Sequence, residues 1–121
     1  MLVPVDDLDA LTTDWLTLPD IAERLGMDVV KVRRLIQDRF LVAVRRGSPP
    51  ALSVPAGMLA DDQVLSDLPG TLTVLFDAGF DDREALRWLL TPDETLPGSP
   101  LDALRSGRKT EIRRRAQAMA F

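Results

Sequence analysis

The chain has 121 residues, of which 45% are hydrophobic, and its formal net charge at pH 7 is −4. This length accommodates one domain or two small lobes that share a core, and the hydrophobic fraction is too high for a disordered protein. Cysteine and histidine are both absent, which removes most zinc sites, thiol chemistry and imidazole acid–base catalysis. We therefore expect a protein that is not an enzyme and has no catalytic residue, no metal and no cofactor.

The charge is distributed in four blocks along the chain. Residues 1–30 and 47–104 carry net charges of −6 and −8, whereas residues 31–46 and 105–121 each carry six bases and one acid. Two compact basic blocks in an otherwise acidic chain indicate a local anion-binding surface. The overall acidity argues against a protein that coats nucleic acid indiscriminately.

The N-terminal segment MLVPVDDLDALTTDWL is acidic and lacks the basic flank and the long apolar run of a signal peptide. No apolar run elsewhere approaches the roughly 18 residues that a membrane-spanning helix needs. We therefore expect a cytoplasmic protein with no membrane contact. Residues 1–13 show no clean periodicity, so we predict a flexible acidic tail there.

The segment TLPDIAERLGM predicts the first helix of a helix-turn-helix. Asp14 or Thr17 is a suitable N-cap for it, and Gly26 tolerates the positive φ that ends many helices. Asp28 then caps a second helix, which we predict over residues 28–39. At 100° per residue its apolar stripe consists of Val29, Val32, Leu35, Ile36 and Phe40, and its opposite, mostly cationic side consists of Val30, Lys31, Arg33, Arg34, Gln37 and Asp38.

The segments LVAVRR and ALSVP follow and predict a short β-hairpin. The first has Val42 and Val44 in alternation, and the Gly-Ser-Pro-Pro connection has the composition of a turn. Arg45 and Arg46 lie beside this connection. We predict that residues 45–50 form the wing of a winged helix-turn-helix.

The C-terminal half reads as a series of short helices. Thr71 is expected to cap a helix that ends at Gly79, and Asp81 or Asp82 to cap another that ends before Pro92. Further helical segments are predicted at 55–61, where a simple connection is the alternative, and at 100–106 and 108–119.

The predicted fold is therefore mainly α. A winged helix-turn-helix with a short β-hairpin wing spans residues 14–66, and a helical C-terminal lobe spans residues 67–121 and packs on it. We see no internal repeat that would divide the chain differently.

A helix, a turn, a basic helix and a basic hairpin, in this order, favour DNA binding. The major groove is about 12 Å wide and admits one α-helix, whose exposed side chains meet base edges and phosphates. We predict that double-stranded DNA is the partner and that the function is transcriptional regulation. The predicted contacts are Lys31, Arg33, Arg34 and Gln37 in the major groove and Arg45 and Arg46 on the backbone at the wing. The alternative is two ordinary amphipathic helices with a basic solvated face.

The segment LTLPDIAERLGMDVVKVRRLIQDRFLVAVRRG resembles the winged helix-turn-helix of excisionase-like and MerR-like proteins. From about Leu18 to Phe121 the chain more closely resembles a small actinobacterial family of winged helix-turn-helix DNA-binding proteins. The resemblance is most distinctive in LVAVRR, LPGTLTVLFDAGF, RWLLTPD and RRRAQAMAF. One mycobacterial member is linked to a Ser/Thr protein kinase, so the resemblance implies such a kinase as a candidate partner. That member has a longer tail with a phosphorylatable threonine, and in this shorter tail Thr12 and Thr13 are the candidates.

The segment EALRWLLTPDETLPGSPLDAL also resembles part of the C-terminal domain of Xre-type antitoxins. That resemblance implies an alternative function, a protein-interaction module whose C-terminal lobe binds a partner protein or a second copy of the chain. We favour the simpler interpretation that the leucines of this segment belong to the core and that Trp88 packs between the lobes. These leucines are Leu86, Leu89, Leu90, Leu101 and Leu104.

The last basic block contains Arg113, Arg114 and Arg115, with Arg108 and Lys109 just before them. Arg113 and Arg114 are candidates for an additional DNA contact. Alternatively, the block complements the negative end of its own helix or pairs with the acidic segment 61–84. The sequence leaves these three interpretations open.

Overall fold

The computed structural model describes residues 7–119. The helices are α1 (Asp7–Leu11), α2 (Leu18–Leu25), α3 (Val29–Gln37), α4 (Leu68–Asp77), α5 (Asp82–Leu90), α6 (Pro100–Arg105) and α7 (Lys109–Ala118). The strands are β1 (Trp15–Thr17), β2 (Val44–Arg46), β3 (Ala51–Pro55), β4 (Leu59–Ala60) and β5 (Gln63–Val64), and a 3-10 turn covers Ala56–Met58. Helices dominate and the sheets are small, so the predicted fold class is confirmed. No helix in this part of the chain is long and apolar enough to cross a lipid bilayer.

The two helices of the helix-turn-helix begin at the predicted caps. The Thr17 hydroxyl accepts a hydrogen bond from the Asp20 N–H at 3.4 Å, and the Asp20 carboxylate accepts one from the Thr17 N–H at 3.1 Å. After α2 the chain turns at Gly26, whose φ of 66° is left-handed. Asp28 accepts a hydrogen bond from the Lys31 N–H at 2.9 Å and starts α3. These predictions are confirmed because each depends on residues within a single turn.

The end of α3 differs from the prediction. The helix stops at Gln37 instead of residue 39, and Arg39 adopts a left-handed φ of 64°. The Phe40 N–H then donates to the Leu35 carbonyl at 2.9 Å, which closes the helix end. Phe40 was predicted on the buried stripe but is 42% exposed. The helical phase that would have buried it is lost at the left-handed residue before it.

The predicted hairpin is confirmed, with a shorter first strand that begins at Val44. It belongs to a three-stranded antiparallel sheet in the order β1-β3-β2. Arg45 pairs with Leu52 across the hairpin, and on the other edge of β3 Trp15 pairs with Pro55. Strand β1 was not predicted from the sequence, because a strand of three residues is too short to show a period.

Residues 1–13 were predicted to be a flexible tail, and the structure differs where it describes them. Residues 7–11 form α1, and Leu8 is fully buried against the C-terminal half, where α1 packs on α5. One turn of helix is too short to reveal a periodicity in the sequence. The part of the predicted tail before residue 7 lies outside the described residues.

The four C-terminal helices pack on one another: α4 contacts α7 and α5, and α6 contacts α5 and α7. Thr71 was predicted to cap α4 but is fully buried inside it, because the helix begins earlier, at the buried Leu68. Asp81, and not Asp82, caps α5, with its carboxylate accepting from the Glu84 N–H at 2.8 Å. The buried side chains from α1 to α7 form one cluster that is continuous across residue 66.

Candidate nucleic-acid interface

The outer face of α3 is exposed as the helical period predicted. Lys31, Arg33, Arg34 and Gln37 are all exposed, and so is Val30 between them. Val32, on the opposite side, is fully buried and holds the helix on the core. The structure therefore presents four of the six predicted contact residues on one solvent-facing helix surface.

The N-terminal turn of α3 carries one cation beside an acidic cap. Lys31 is the third residue of the helix, and its first turn contains no acidic residue. The acid is the N-cap Asp28, whose carboxylate accepts a hydrogen bond from the Lys31 N–H at 2.9 Å and offsets the partial positive charge at the start of the helix. The Lys31 side chain is exposed, so its ammonium group faces solvent.

A groove between α3 and the wing brings Arg33 and Arg45 together. Its volume is about 290 Å³, and its walls come from the start of α2, from α3 and from the hairpin. The lining residues are Thr17, Leu18, Pro19, Val29, Arg33, Arg45, Ala51 and Leu52. Two cations from separate elements, Arg33 and Arg45, therefore lie at one groove.

Arg46 is directed elsewhere, because successive side chains of a strand point to opposite faces. Its Nη2 lies 2.8 Å from Oδ1 of Asp9, and its Nε donates to the same oxygen at 2.9 Å. Its guanidinium carbon also lies 4.9 Å from the centre of a Trp15 ring. The structure thus separates Arg46 from Arg45, although the sequence analysis placed both at the DNA backbone.

The contacts of Asp9 and Trp15 with Arg46 were not predicted from the sequence. Asp9 lies within the predicted tail and Trp15 just after it, 37 and 31 positions before Arg46 in the sequence. No local pattern connects residues that far apart. Only the packing of α1 and β1 beside the wing brings them together.

Six of the fifteen cations make no ion pair, hydrogen bond or ring contact through their side chains with the described residues. They are Lys31, Arg33, Arg34, Arg45, Arg113 and Arg114. Other cations are engaged: Arg24 donates to the Asp61 carbonyl at 2.8 Å, and Arg39 lies 4.3 Å from the ring centre of Phe76. Every basic residue that the sequence predicted to contact DNA, except Arg46, is therefore left without a compensating partner among the described residues.

The terminal helix α7 divides its basic residues between two roles. The Lys109 Nζ lies 3.8 Å from Oδ1 of Asp67, which belongs to the acidic segment 61–84. The Arg115 Nη2 lies 2.9 Å from Oε2 of Glu111. Arg113 and Arg114 remain exposed. The Arg113 guanidinium lies directly over Gly70 on α4, where any larger side chain would meet it.

A second groove, of about 580 Å³, lies on the C-terminal lobe. Phe80, Trp88, Leu96 and Met119 contribute to its walls. Trp88, which was predicted to pack between the lobes, is half-buried and lines this groove, whose walls come from the C-terminal lobe. Hydrogen bonds from the Thr95 hydroxyl and N–H lower the pKa of Asp93 at the rim, and Arg115 adds to this effect.

The predicted core leucines of this segment are all buried: Leu86, Leu89, Leu90, Leu101 and Leu104.

Groups of acids that could hold a metal ion are absent from the part of the chain that the structure describes. The exposed cations of α3 and the wing form the candidate site.

Comparisons with known proteins agree with this architecture. Residues 3–59 match the family described as DNA-binding protein Rv2175c, wHTH domain, and residues 65–120 match the Rv2175c C-terminal domain of unknown function. The DNA-binding protein Rv2175c of Mycobacterium tuberculosis is 41% identical over 134 residues of alignment, which cover 98% of this chain and 90% of that protein. The NMR structure of Rv2175c superposes with a TM-score of 0.80 at 39% identity, covering 88% of this chain and 81% of that one.

Proposed function

Because the chain belongs to the family of the winged helix-turn-helix DNA-binding protein Rv2175c, we propose that it binds double-stranded DNA and acts in transcriptional regulation. One observation carries the proposal: Lys31, Arg33, Arg34 and Arg45 are exposed and lack partners among the described residues. We call these four residues the DNA-facing cluster. Unpaired cations on one surface attract phosphates, and the counterions that the duplex then releases drive association.

The helical period assigns different tasks to the residues of α3. At 100° per residue, Val30, Arg34 and Gln37 fall within about 60° of one another and point to the middle of the exposed face. With α3 in the major groove, Arg34 meets a guanine through two parallel hydrogen bonds and Gln37 meets an adenine. Arg33 turns toward the wing and Lys31 toward the opposite flank, where phosphates border the groove.

The wing adds contacts to the DNA backbone. Arg45 lines the same groove as Arg33, so both can neutralise neighbouring phosphates of one strand. Arg46 is held by Asp9 and Trp15. We assign Arg46 to fixing the wing in place, instead of the backbone contact predicted from the sequence.

Several finer points stay predictions. Arg113 and Arg114 are exposed and without an ion pair, so a phosphate contact by α7 stays a prediction. A Ser/Thr kinase, a homodimer and a cytoplasmic location are also predictions. Of the two candidate threonines, Thr13 is exposed and Thr12 is half-buried.

A salt titration tests the proposal. Binding of a fluorescent random-sequence duplex pool is followed by anisotropy between about 50 and 200 mM salt, where phosphate contacts make affinity fall steeply. In the variant Arg33→Ala/Arg34→Ala, the slope of log K against log salt should lose about 0.9 for each phosphate contact removed. Arg113→Ala/Arg114→Ala is compared in the same way.

The matched control is Arg83→Ala/Arg87→Ala, which removes two exposed arginines from α5. It changes the net charge equally but lies outside the DNA-facing cluster, so its slope should equal that of the unmodified protein. Absence of duplex binding at the lowest salt would overturn the proposal. An equal loss of salt slope in Arg33→Ala/Arg34→Ala and in Arg83→Ala/Arg87→Ala would mean that only net charge matters. It would remove the assignment of DNA binding to α3.

A further inference from the structure

Val30 is the most exposed large hydrophobic side chain among the described residues, at 71%. It is the second residue of α3, two positions after the N-cap Asp28. Valine forms helices less readily than alanine, and an apolar side chain gains nothing from the positive end of a helix. Neither the core nor the helix explains a valine here.

The surroundings of Val30 are those of the DNA-facing cluster. Arg33 and Arg34 follow it by three and four residues, so they are its neighbours on the surface of α3. In helix-turn-helix proteins the N-terminal part of the recognition helix reaches the base edges. Val30 is thus an apolar group placed among hydrogen-bond donors, at the end of α3 that approaches the bases.

The major groove offers one apolar group in ordinary DNA, the 5-methyl group of thymine. Valine is branched at Cβ and takes essentially one rotamer in a helix, so its two methyl groups are fixed before binding. We propose that Val30 contacts a thymine methyl group and thereby selects thymine at one position of the site. This inference rests on the proposed DNA binding and adds the base that α3 prefers at its N-terminal turn.

The spacing along α3 places that thymine relative to the other contacts. Four residues of helix rise about 6 Å, which is close to two base-pair steps of about 3.4 Å. If Arg34 reads a guanine, the thymine lies within about two base pairs of it. The expected site therefore combines a thymine and a guanine in close proximity.

Deoxyuridine tests this inference, because it differs from thymidine only by the missing methyl group. Duplexes that bind are first selected from a random pool, and the preferred duplex is then made with each thymine replaced by uracil in turn. At one position the replacement should weaken binding about fourfold, the value of removing one methyl-sized group from a buried contact. In the variant Val30→Ala the same replacement should have almost no effect.

Two controls separate the outcomes. Met119→Ala removes another exposed hydrophobic side chain, 46% exposed on the C-terminal lobe, and should keep the full preference for thymine. Thermal unfolding of Val30→Ala confirms that the exposed substitution leaves the fold intact. The inference is overturned if no single uracil weakens binding, or if Val30→Ala keeps the preference, and DNA binding itself then stands. If the unmodified protein binds no duplex, both the proposed function and this inference fail.

Discussion

Asp9 and Arg46 are 37 residues apart in the sequence, yet Oδ1 of Asp9 accepts a hydrogen bond from the Arg46 Nε at 2.9 Å and lies 2.8 Å from the Arg46 Nη2 in an ion pair. Asp9 belongs to α1, which also packs on α5, whereas Arg46 ends the first strand of the wing. The pair therefore connects the wing to the C-terminal lobe through a single helical turn. Its second support is the ring of Trp15, 4.9 Å from the Arg46 guanidinium carbon.

We predict that the two arginines of the wing differ in their contribution to DNA binding. Arg45→Ala should lower the magnitude of the salt slope by about 0.9, the value of one phosphate contact. Arg46→Ala should leave the slope unchanged and instead lower the free energy of unfolding by about 1 kcal/mol, since it removes an ion pair and a cation–π contact. Salt titration and urea unfolding of both variants measure these effects. An equal decrease of the salt slope in both variants would contradict the assignment. It would mean that Arg46 leaves Asp9 when DNA binds.

The docking of α1 makes a separate prediction about stability. Leu8 is fully buried, so Leu8→Ala should lower the free energy of unfolding by about 2–4 kcal/mol through lost burial and the cavity left behind. Ala10→Gly is a control on the same turn, because Ala10 is exposed and the change should reach only about 1 kcal/mol. Urea unfolding at equilibrium measures both. A loss below that of the control would show that α1 is not docked in solution.

These two cases explain which parts of the fold the sequence could predict. The caps at Thr17 and Asp28 and the turn at Gly26 were predicted correctly, because their hydrogen bonds and dihedral angles depend on neighbouring residues. The strand β1 and helix α1 were missed, because both are shorter than the window in which periodicity can be recognised. Their existence depends on tertiary contacts, such as the pairing of Trp15 with Pro55.

The candidate site follows the same division. Exposure of Lys31, Arg33, Arg34 and Gln37 follows from the helical period alone, and the structure agrees. The pairing of Arg46 with Asp9 was not predictable, since it joins elements that are distant in the sequence. A basic residue in a hairpin is thus identified from the sequence, but its availability for DNA depends on its neighbours in space.

The N-cap of α3 allows stability and binding to be separated. Asp28→Ala should lower the free energy of unfolding by about 1 kcal/mol, because the Lys31 N–H loses its acceptor. Asp28→Ser keeps a capping oxygen and should recover most of this loss. Both variants remove a carboxylate beside the DNA-facing cluster, so Asp28→Ser should bind the duplex pool more tightly than the unmodified protein at low salt. Unchanged or weaker binding by Asp28→Ser would place the N-terminal turn of α3 away from DNA.

The adjacent arginines of α3 should differ in kind, because Arg33 faces the groove shared with Arg45 and Arg34 points to the middle of the exposed face. Loss of a phosphate contact weakens binding to all sequences alike, whereas loss of a base contact costs about 1–3 kcal/mol at one base pair and relaxes the preference there. Arg33→Ala should therefore lower the salt slope by about 0.9 and leave the selected sequence unchanged. Arg34→Ala should abolish the preference for guanine at one position.

Selection of bound duplexes from a random pool, followed by sequencing, compares the two variants with the unmodified protein. Gln37→Ala serves as the matched comparison, since it lies on the same face and carries no charge; it should relax one adenine position while leaving the salt slope unchanged. Exchange of the two arginine phenotypes would mean that α3 is rotated in the groove by about 100°, the angle between consecutive residues. The base-facing side of α3 would then centre on Arg33.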